Sequence, residues 1–324
     1  MKIGENRKNF SSPRVFCGAE DGNRSTRTTA PRNYGGNAAD SPFYSSAALF
    51  DSGIGGLNVL FACRRRMSDE KFIYYGDNDR APYGNLPEDV IVRYVLSAAE
   101  ELSAYAPRVL ALACNTATAC AGKVLRKTFS FPVLGAYPPV LTAGKCGGDG
   151  LVLVTRATHQ SAAFAALMRR AESMYPAARF FSYPCDFLAG KVEDTQAAAE
   201  ESLYTAELPK RRFSFVVLGC THYAHVKKAI GNFYACPVFD GTENLSRRIE
   251  QTLSASAAIA CDEAERAAKT EKEAQKNAYA RPAVTTFAPD AGKYVSSDGK
   301  VLFLGSGAQK NKMFYEHSFA DALS

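Results

Sequence analysis

Eight short apolar runs, separated by longer stretches of mixed Ala, Leu, Arg and Glu, constrain the fold of this chain more than any other feature. They fall at 47–50, 71–76, 108–113, 132–135, 151–154, 179–183, 213–218 and 236–239. Most are continuous rather than alternating, as parallel strands covered on both faces are. Strand and helix in repetition predict an α/β class fold. Two pairs of run ends echo each other. Val109-Leu110-Ala111-Leu112-Ala113 leads into Cys114-Asn115-Thr116, as Phe215-Val216-Val217-Leu218-Gly219 leads into Cys220-Thr221-His222. Likewise Leu49-Phe50-Asp51-Ser52-Gly53 resembles Val238-Phe239-Asp240-Gly241-Thr242. The echoes predict two similar parallel-sheet α/β domains. Ligands of open parallel sheets bind beyond the carboxyl ends of the strands, where these polar clusters lie.

A length of 324 residues suits about two such domains. The Gly-rich segment 144–150 reads as the linker between them. We therefore expect a first domain of residues 46–143 plus 240–324, with the C-terminal segment returning to complete it, and a second of 144–239. Residues 1–45 are rich in Ser, Asn, Gly, Arg and Thr and too poor in apolar clusters to offset their ordering entropy, so a disordered tail is predicted there. Between 254 and 280 the chain is rich in Ala, Glu and Lys, with Asp262/Arg266 and Glu265/Lys269 at i, i+4 spacing, the pattern of a solvated helix.

The charge pattern excludes several classes. Of the formal +6, residues 1–45 supply 7 − 4 = +3, and the rest is too mild for a nucleic-acid footprint. No run approaches the roughly 20 apolar residues of a membrane span, and the N-terminus is polar where a signal peptide is apolar, so a cytoplasmic protein without membrane contact is expected. Nine cysteines, none in a CxxC pair, read as free thiols of a reducing compartment.

Several familiar motifs fail. Gly53-Ile54-Gly55-Gly56-Leu57-Asn58 carries Asn58 where a dinucleotide fingerprint has its third glycine. The Gly-Lys pairs at 122, 144, 190, 292 and 299 precede Val, Cys, Val, Tyr and Val, never Ser or Thr, so they make no Walker A loop. Cys220, His222 and His225 lack a nearby fourth zinc ligand, and no metal is predicted. His159, His225 and His317 read as ordinary surface or helix residues. Cys63, Cys120 and Cys236 fit the usual role of cysteine as a small buried apolar residue. Cys114 and Cys220 differ. Each ends an apolar strand and precedes residues able to open a helix, whose N–H groups favour a reactive thiol.

With these motifs in order, the chain resembles the glutamate racemases of the cofactor-independent aspartate/glutamate racemase superfamily. The matching segments are Phe50-Asp51-Ser52-Gly53-Ile54-Gly55-Gly56-Leu57, Gly76-Asp77-Asn78-Asp79-Arg80-Ala81-Pro82-Tyr83-Gly84, Ala113-Cys114-Asn115-Thr116-Ala117 and Leu218-Gly219-Cys220-Thr221-His222-Tyr223. They span about 46–250, with a weaker echo at Thr285–Gly305. The resemblance implies interconversion of L- and D-glutamate, supplying D-glutamate to peptidoglycan, with the site in a cleft between the domains and no PLP, metal or nucleotide. Enantiomers have equal free energy, so two acid/base groups on opposite faces of the α-carbon suffice. At near-attack distances of about 3 to 3.5 Å each, two such sulfurs lie roughly 7 Å apart.

By the same resemblance, Cys114 takes the proton of D-glutamate and Cys220 that of L-glutamate, with Asp51 beside the first and His222 beside the second. Glu193 follows Cys185 by eight positions, as a second family carboxylate does, although Asp186 stands where the family has proline. Substrate binding falls by resemblance to Asp51, Ser52, Pro82, Tyr83, Gly84, Asn115, Thr116, Thr221 and His222. A threonine loop adds Thr155 and Thr158, whose alternative role is a helix cap. The resemblance further implies a homodimer, and family members with N-terminal extensions suggest a regulator engaged by residues 1–45. Two alternatives stand beside it: a racemase of aspartate or another acidic amino acid, and a binding or regulatory protein on the same scaffold.

Overall fold

The computed structural model describes residues 38–194, 201–271 and 293–323. Strands β1 (Ala47–Asp51), β2 (Phe72–Gly76), β3 (Val109–Leu112) and β4 (Val133–Gly135) pair in parallel in the order β4-β3-β1-β2. A second parallel sheet follows from β5 (Gly148–Val154), β6 (Ala178–Pro184), β7 (Phe215–Gly219) and β8 (Val238–Asp240), in the order β6-β5-β7-β8. The chain then returns to the first sheet. There β9 (Tyr294–Val295) runs antiparallel to β10 (Val301–Leu304), and β10 pairs in parallel with β2.

Between the strands lie α1 (Leu57–Arg66), α2 (Glu88–Ser103), α3 (Asn115–Thr128), α4 (Val140–Ala143), α5 (Arg156–Gln160), α6 (Ala162–Met174), α7 (Asp186–Glu193), α8 (Glu201–Thr205) and α9 (Lys227–Tyr234). The long α10 (Thr242–Glu271) and the terminal α11 (Ala308–Leu323) complete the set. Local chemistry sets their ends. Glu88 and Asp89 lie in the first turn of α2 and Arg64, Arg65 and Arg66 in the last of α1, the signs that the helix dipole favours. The side chains of Thr155 and Ser161 accept the N–H of Thr158 and Phe164, capping α5 and α6.

Every residue of β1, β3 and β7 is buried, which is why these runs read as continuous rather than alternating. One apolar cluster runs from Leu49, Leu57 and Leu60 through Leu245 and Ile249 to Leu151, Val216 and Leu218, so it is continuous from one sheet to the other. The carboxyl ends of β1 and β3 are drawn together by Ala113 N–H donating to Phe50 O at 2.8 Å. Those of β5 and β6 are linked by Cys185 N–H to Val154 O.

The structure modifies four expectations. First, residues 148–150 are not linker but the start of β5. Gly147 and Gly148, at φ +67° and +73°, make a left-handed turn, Gly148 already pairs opposite Ala178, and Gly144–Cys146 form a 3-10 turn before them. Second, the segment 38–45 is anchored at Phe43 and Ser45. Phe43 is 3% exposed and Ser45 N–H donates to Tyr105 O, because one aromatic ring supplies the burial that its polar surroundings lack. The remainder of the predicted tail, 1–37, lies outside the described residues. Third, the helix expected from 254 begins at Thr242, where Asp240 Oδ1 accepts its first N–H at 2.9 Å. Its predicted ion pairs and the stretch beyond 271 lie outside the described side chains and residues. Fourth, β9 and β10 join the predicted strands.

Candidate active site

The end of β3 sets the first sulfur. Cys114 is the N-cap of α3: its Sγ accepts the N–H of Ala117 at 3.4 Å and lies 3.6 Å from Ser52 Oγ. Ser52 and Asp51 close β1 beside it. Asp51, fully buried, accepts Gly53 N–H at 2.9 Å on one oxygen and the Thr221 hydroxyl at 3.0 Å on the other. Thr221 follows Cys220 at the end of β7, so this one hydrogen bond joins the strand ends of the two sheets.

The second sulfur has a different neighbour. Cys220 Sγ lies 3.8 Å from His222 Nδ1, and His222 Nε2 lies 2.8 Å from Glu193 Oε1 at the end of α7. The same oxygen accepts Ile54 N–H at 2.9 Å, and Glu193 Oε2 accepts from Lys310 Nζ at 3.1 Å. Both ring nitrogens therefore face acceptors, which suits an imidazolium donating twice.

The glycines of the 53–56 loop serve this packing rather than a nucleotide. A Cβ on Gly53 falls 1.8 Å from Glu193 Oε1, one on Gly55 2.5 Å from His222 Nδ1, and one on Gly56 2.6 Å from the Asp51 Cβ. Only bare backbone admits those three side chains so close.

Burial and charge shape the groups around the two sulfurs. Burial first, then Asp51 and the other cysteine, push the Cys114 thiol up to about 12. Burial also raises Asp51, against the lowering influence of His222, Gly53 and Thr221. Burial alone would lower His222, but its hydrogen bonds to Cys220 and Glu193 hold it well above the usual imidazole range. Burial would raise Glu193, yet the bonds from His222, Ile54 and Lys310 bring it down to about 2. The arrangement thus keeps a thiol at Cys114 and a proton on the imidazole facing Cys220.

A threonine cluster closes the other side. Thr116 Oγ1 lies 2.9 Å from Thr155 Oγ1 and 3.4 Å from Thr158 Oγ1, and Thr155 bonds Thr158 at 3.0 Å. Thr155 is thus both the cap of α5 and a member of the cluster. Gly84 backs onto it, since a Cβ there would sit 3.0 Å from Thr155. Asn115 and Thr116 are buried in the first turn of α3. Tyr83 is buried in a 3-10 turn, Tyr83–Asn85, with its hydroxyl committed to Asp77 Oδ2 at 2.5 Å, and Pro82 is the N-cap position of that turn. Asp77 in turn accepts twice from Arg80 at 2.9 and 3.0 Å. Asp186, in place of the family's proline, accepts the Arg156 backbone N–H at 2.7 Å and its Nε at 3.1 Å.

Not every reading holds. Asp240, the echo of Asp51, lies outside the site, bonded to Lys227 at 2.7 Å and capping α10. His225, expected as a surface or helix residue, lies in the 3-10 turn His222–Val226 and is half-buried, with Nε2 3.3 Å from Ile54 O and its ring edge-on to Phe314 at 5.6 Å. Among the described residues no three His, Cys, Asp or Glu side chains are grouped to hold a metal. Sequence reasoning misses Lys310, because a lysine in Gln309-Lys310-Asn311-Lys312 carries no mark of the carboxylate it will meet, and gives no role to Asp77, although it stands in a matching segment. Among the described residues, no helix is long and apolar enough to cross a membrane.

Comparison with known proteins bears on this geometry. Residues 62–249 match the family model described as Asp/Glu/Hydantoin racemase. The glutamate racemase of Clostridium kluyveri is 33% identical over 216 residues, covering 63% of this chain and 82% of that relative. That of Pseudomonas aeruginosa strain PAO1 is 33% identical over 232 residues, 68% of this chain and 86% of the relative. Among solved structures, Escherichia coli glutamate racemase in complex with L-glutamate and the activator UDP-MurNAc-ala superposes with a TM-score of 0.58 at 26% identity. It covers 64% of this chain and 82% of that one.

Proposed function

Because the chain belongs to the Asp/Glu/hydantoin racemase family, we propose that it interconverts L- and D-glutamate, as a cofactor-independent isomerase, by proton transfer between Cys114 and Cys220. The observation that carries the mechanism is the contrast between the sulfurs: one beside a buried carboxylate, the other beside a protonated imidazole, with the two joined through Ser52, Asp51 and Thr221. A two-base racemase must begin each turnover with one group able to accept a proton and the other ready to donate one. Such a pair titrates as a unit.

For L-glutamate, Cys220 as thiolate takes the α-proton and forms S–H, with His222 holding the negative sulfur beforehand. The electron pair left on carbon delocalises into the α-carboxylate, and the Cys114 thiol delivers its proton to the opposite face. D-Glutamate leaves with Cys114 ionised and Cys220 protonated, and exchange with water resets the pair. The substrate ammonium, placed beside Asp51, offsets the carboxylate charge that adds to burial in keeping Cys114 basic. The hydroxyls of Ser52, Thr116, Thr158 and Thr221, the Asn115 amide, and the backbone around Tyr83 and Gly84 supply donors for the two carboxylates. Residues 46–143 with 240–324 and residues 144–239 act as the two domains on either side of the substrate. The reading extends to a cytoplasmic homodimer that supplies D-glutamate to peptidoglycan, with regulation through residues 1–45; sedimentation tests the dimer, and turnover with and without those residues tests the regulation.

Cofactor-free assay of each enantiomer of glutamate and aspartate tests the activity. Glutamate should racemise and lose α-deuterium in exchange, whereas aspartate should not. Cys114→Ala and Cys220→Ala should each reduce racemisation by about 10³-fold or more with an unchanged circular dichroism spectrum. Wild-type turnover in either variant contradicts the two-base assignment.

A further inference from the structure

We propose that Lys310 is a positioning residue for the reaction: its ammonium fixes the far side of Glu193, so that the near oxygen stays on His222 and the C-terminal helix becomes part of the machinery at Cys220. The proposal rests on the reading of Glu193 and His222 above. Lys310 Nζ donates to Glu193 Oε2 at 3.1 Å and also to the Glu193 carbonyl at 3.2 Å. One cation thereby spans main chain and side chain of a single residue, at the carboxyl end of α7 where a positive charge is favoured. The other oxygen, Oε1, serves His222 and Ile54. A carboxylate held by both oxygens cannot turn about its last bond. Held by one alone, it can, and His222 loses its aim at Cys220.

Although the Lys310 side chain is 45% exposed, it springs from a fixed base. The next residue, Asn311, is fully buried, and its Nδ2 donates to Asn78 Oδ1 at 2.9 Å. A Cβ on Gly76 would lie 2.0 Å from that nitrogen, so α11 seats directly on the end of β2. The Phe314 ring, one turn on, packs against His225. The charged and titratable groups acting on or facing Glu193 are His222, Lys310, Asp51, His225 and Tyr74.

Kinetics of Lys310→Met, Lys310→Arg, Glu193→Gln and the Glu193→Gln/Lys310→Met double variant test this, with Lys312→Met as a control on the same helix. Lys310→Met should lower kcat about 5- to 10-fold, roughly 1 kcal/mol, with KM within about twofold. Its kcat profile should fall off at higher pH on the acid side, because Glu193 loses a cation that keeps it ionised. Arginine should restore most of kcat. About 0.5 M salt, which screens an exposed pair, should narrow the gap between wild type and Lys310→Met. Lys312→Met should match wild type. In the double variant, loss of Lys310 should add nothing to Glu193→Gln. Wild-type kcat in Lys310→Met beside an impaired Glu193→Gln overturns the proposal alone, as do effects that multiply in the double variant. Wild-type kcat in Glu193→Gln overturns the reading of Glu193 and the proposal with it.

Discussion

Cys114 and Cys220 share a local context, an apolar strand before and a helix-opening turn after, yet one lies near a carboxylate and the other near an imidazole. The shared context made both sulfurs legible in the sequence. Their difference lies in tertiary approach: Asp51 reaches the first through strand neighbours, and His222 is aligned by Glu193 from another helix. The short motifs hold Asp51, Ser52, Thr221 and His222, whereas Lys310 meets Glu193 from a segment far along the chain. Gly53 is where this approach is tightest. Gly53→Ala would drive Glu193 Oε1 from its place, since the new methyl would lie 1.8 Å away. We expect kcat to fall at least about tenfold and stability by about 1–3 kcal/mol. Turnover assays with urea titration check both, and a wild-type kcat would show that Glu193 does not need that position.

At the scale of elements, the strands were legible because their runs are continuous and short. The β10 run Val301-Leu302-Phe303-Leu304 has the same character, but its partner β2 lies far back in the chain, so local sequence says nothing of the pairing. The start of β5 was hidden by its glycines, which read as linker until Gly148 is seen opposite Ala178. Where the turn His222–Val226 meets α11 and the glycine loop, His225 is wedged between Ile54 O and Phe314. Burial first, then the charge of His222, lowers its pKa to about 4. The unfolded chain, with a histidine near 6.5, binds a proton that the native state refuses between those values. Stability from this junction is therefore complete above about pH 6.5 and lost as pH falls towards 4. Glu193, lowered to about 2, adds a loss below about pH 4.5. His222, being raised, acts oppositely, contributing below about pH 6.5 and fading as pH rises through its folded value. Between pH 7 and 5 the wild type should lose about 1–2 kcal/mol more stability than His225→Asn. Urea unfolding at both pH values measures it, and parallel losses in the two proteins would remove His225 from the account.

Across the described residues, the parallel strands of two sheets bring their carboxyl ends together, and the Asp51–Thr221 bond and the Thr116–Thr155 contact cross between them. Repeated strand-to-helix turns announced both sheets, but not that Asp240 would turn away to cap α10 while Asp51 turned inward. The facing arrangement suits a reaction whose substrate and product differ only in which side carries the proton. Equal free energies require kcat/KM to be the same in both directions, in the wild type and every variant, so directional roles of the sulfurs are invisible in that ratio. Isotopes reveal them. The most direct test of two opposed bases is racemisation of protiated L-glutamate in heavy water, stopped after a small fraction of conversion. The account predicts deuterium at the α-carbon of nearly all the D-glutamate and protium in the recovered L-glutamate. Protium carried into the product would mean that one base moves the same proton across both faces, and would contradict it.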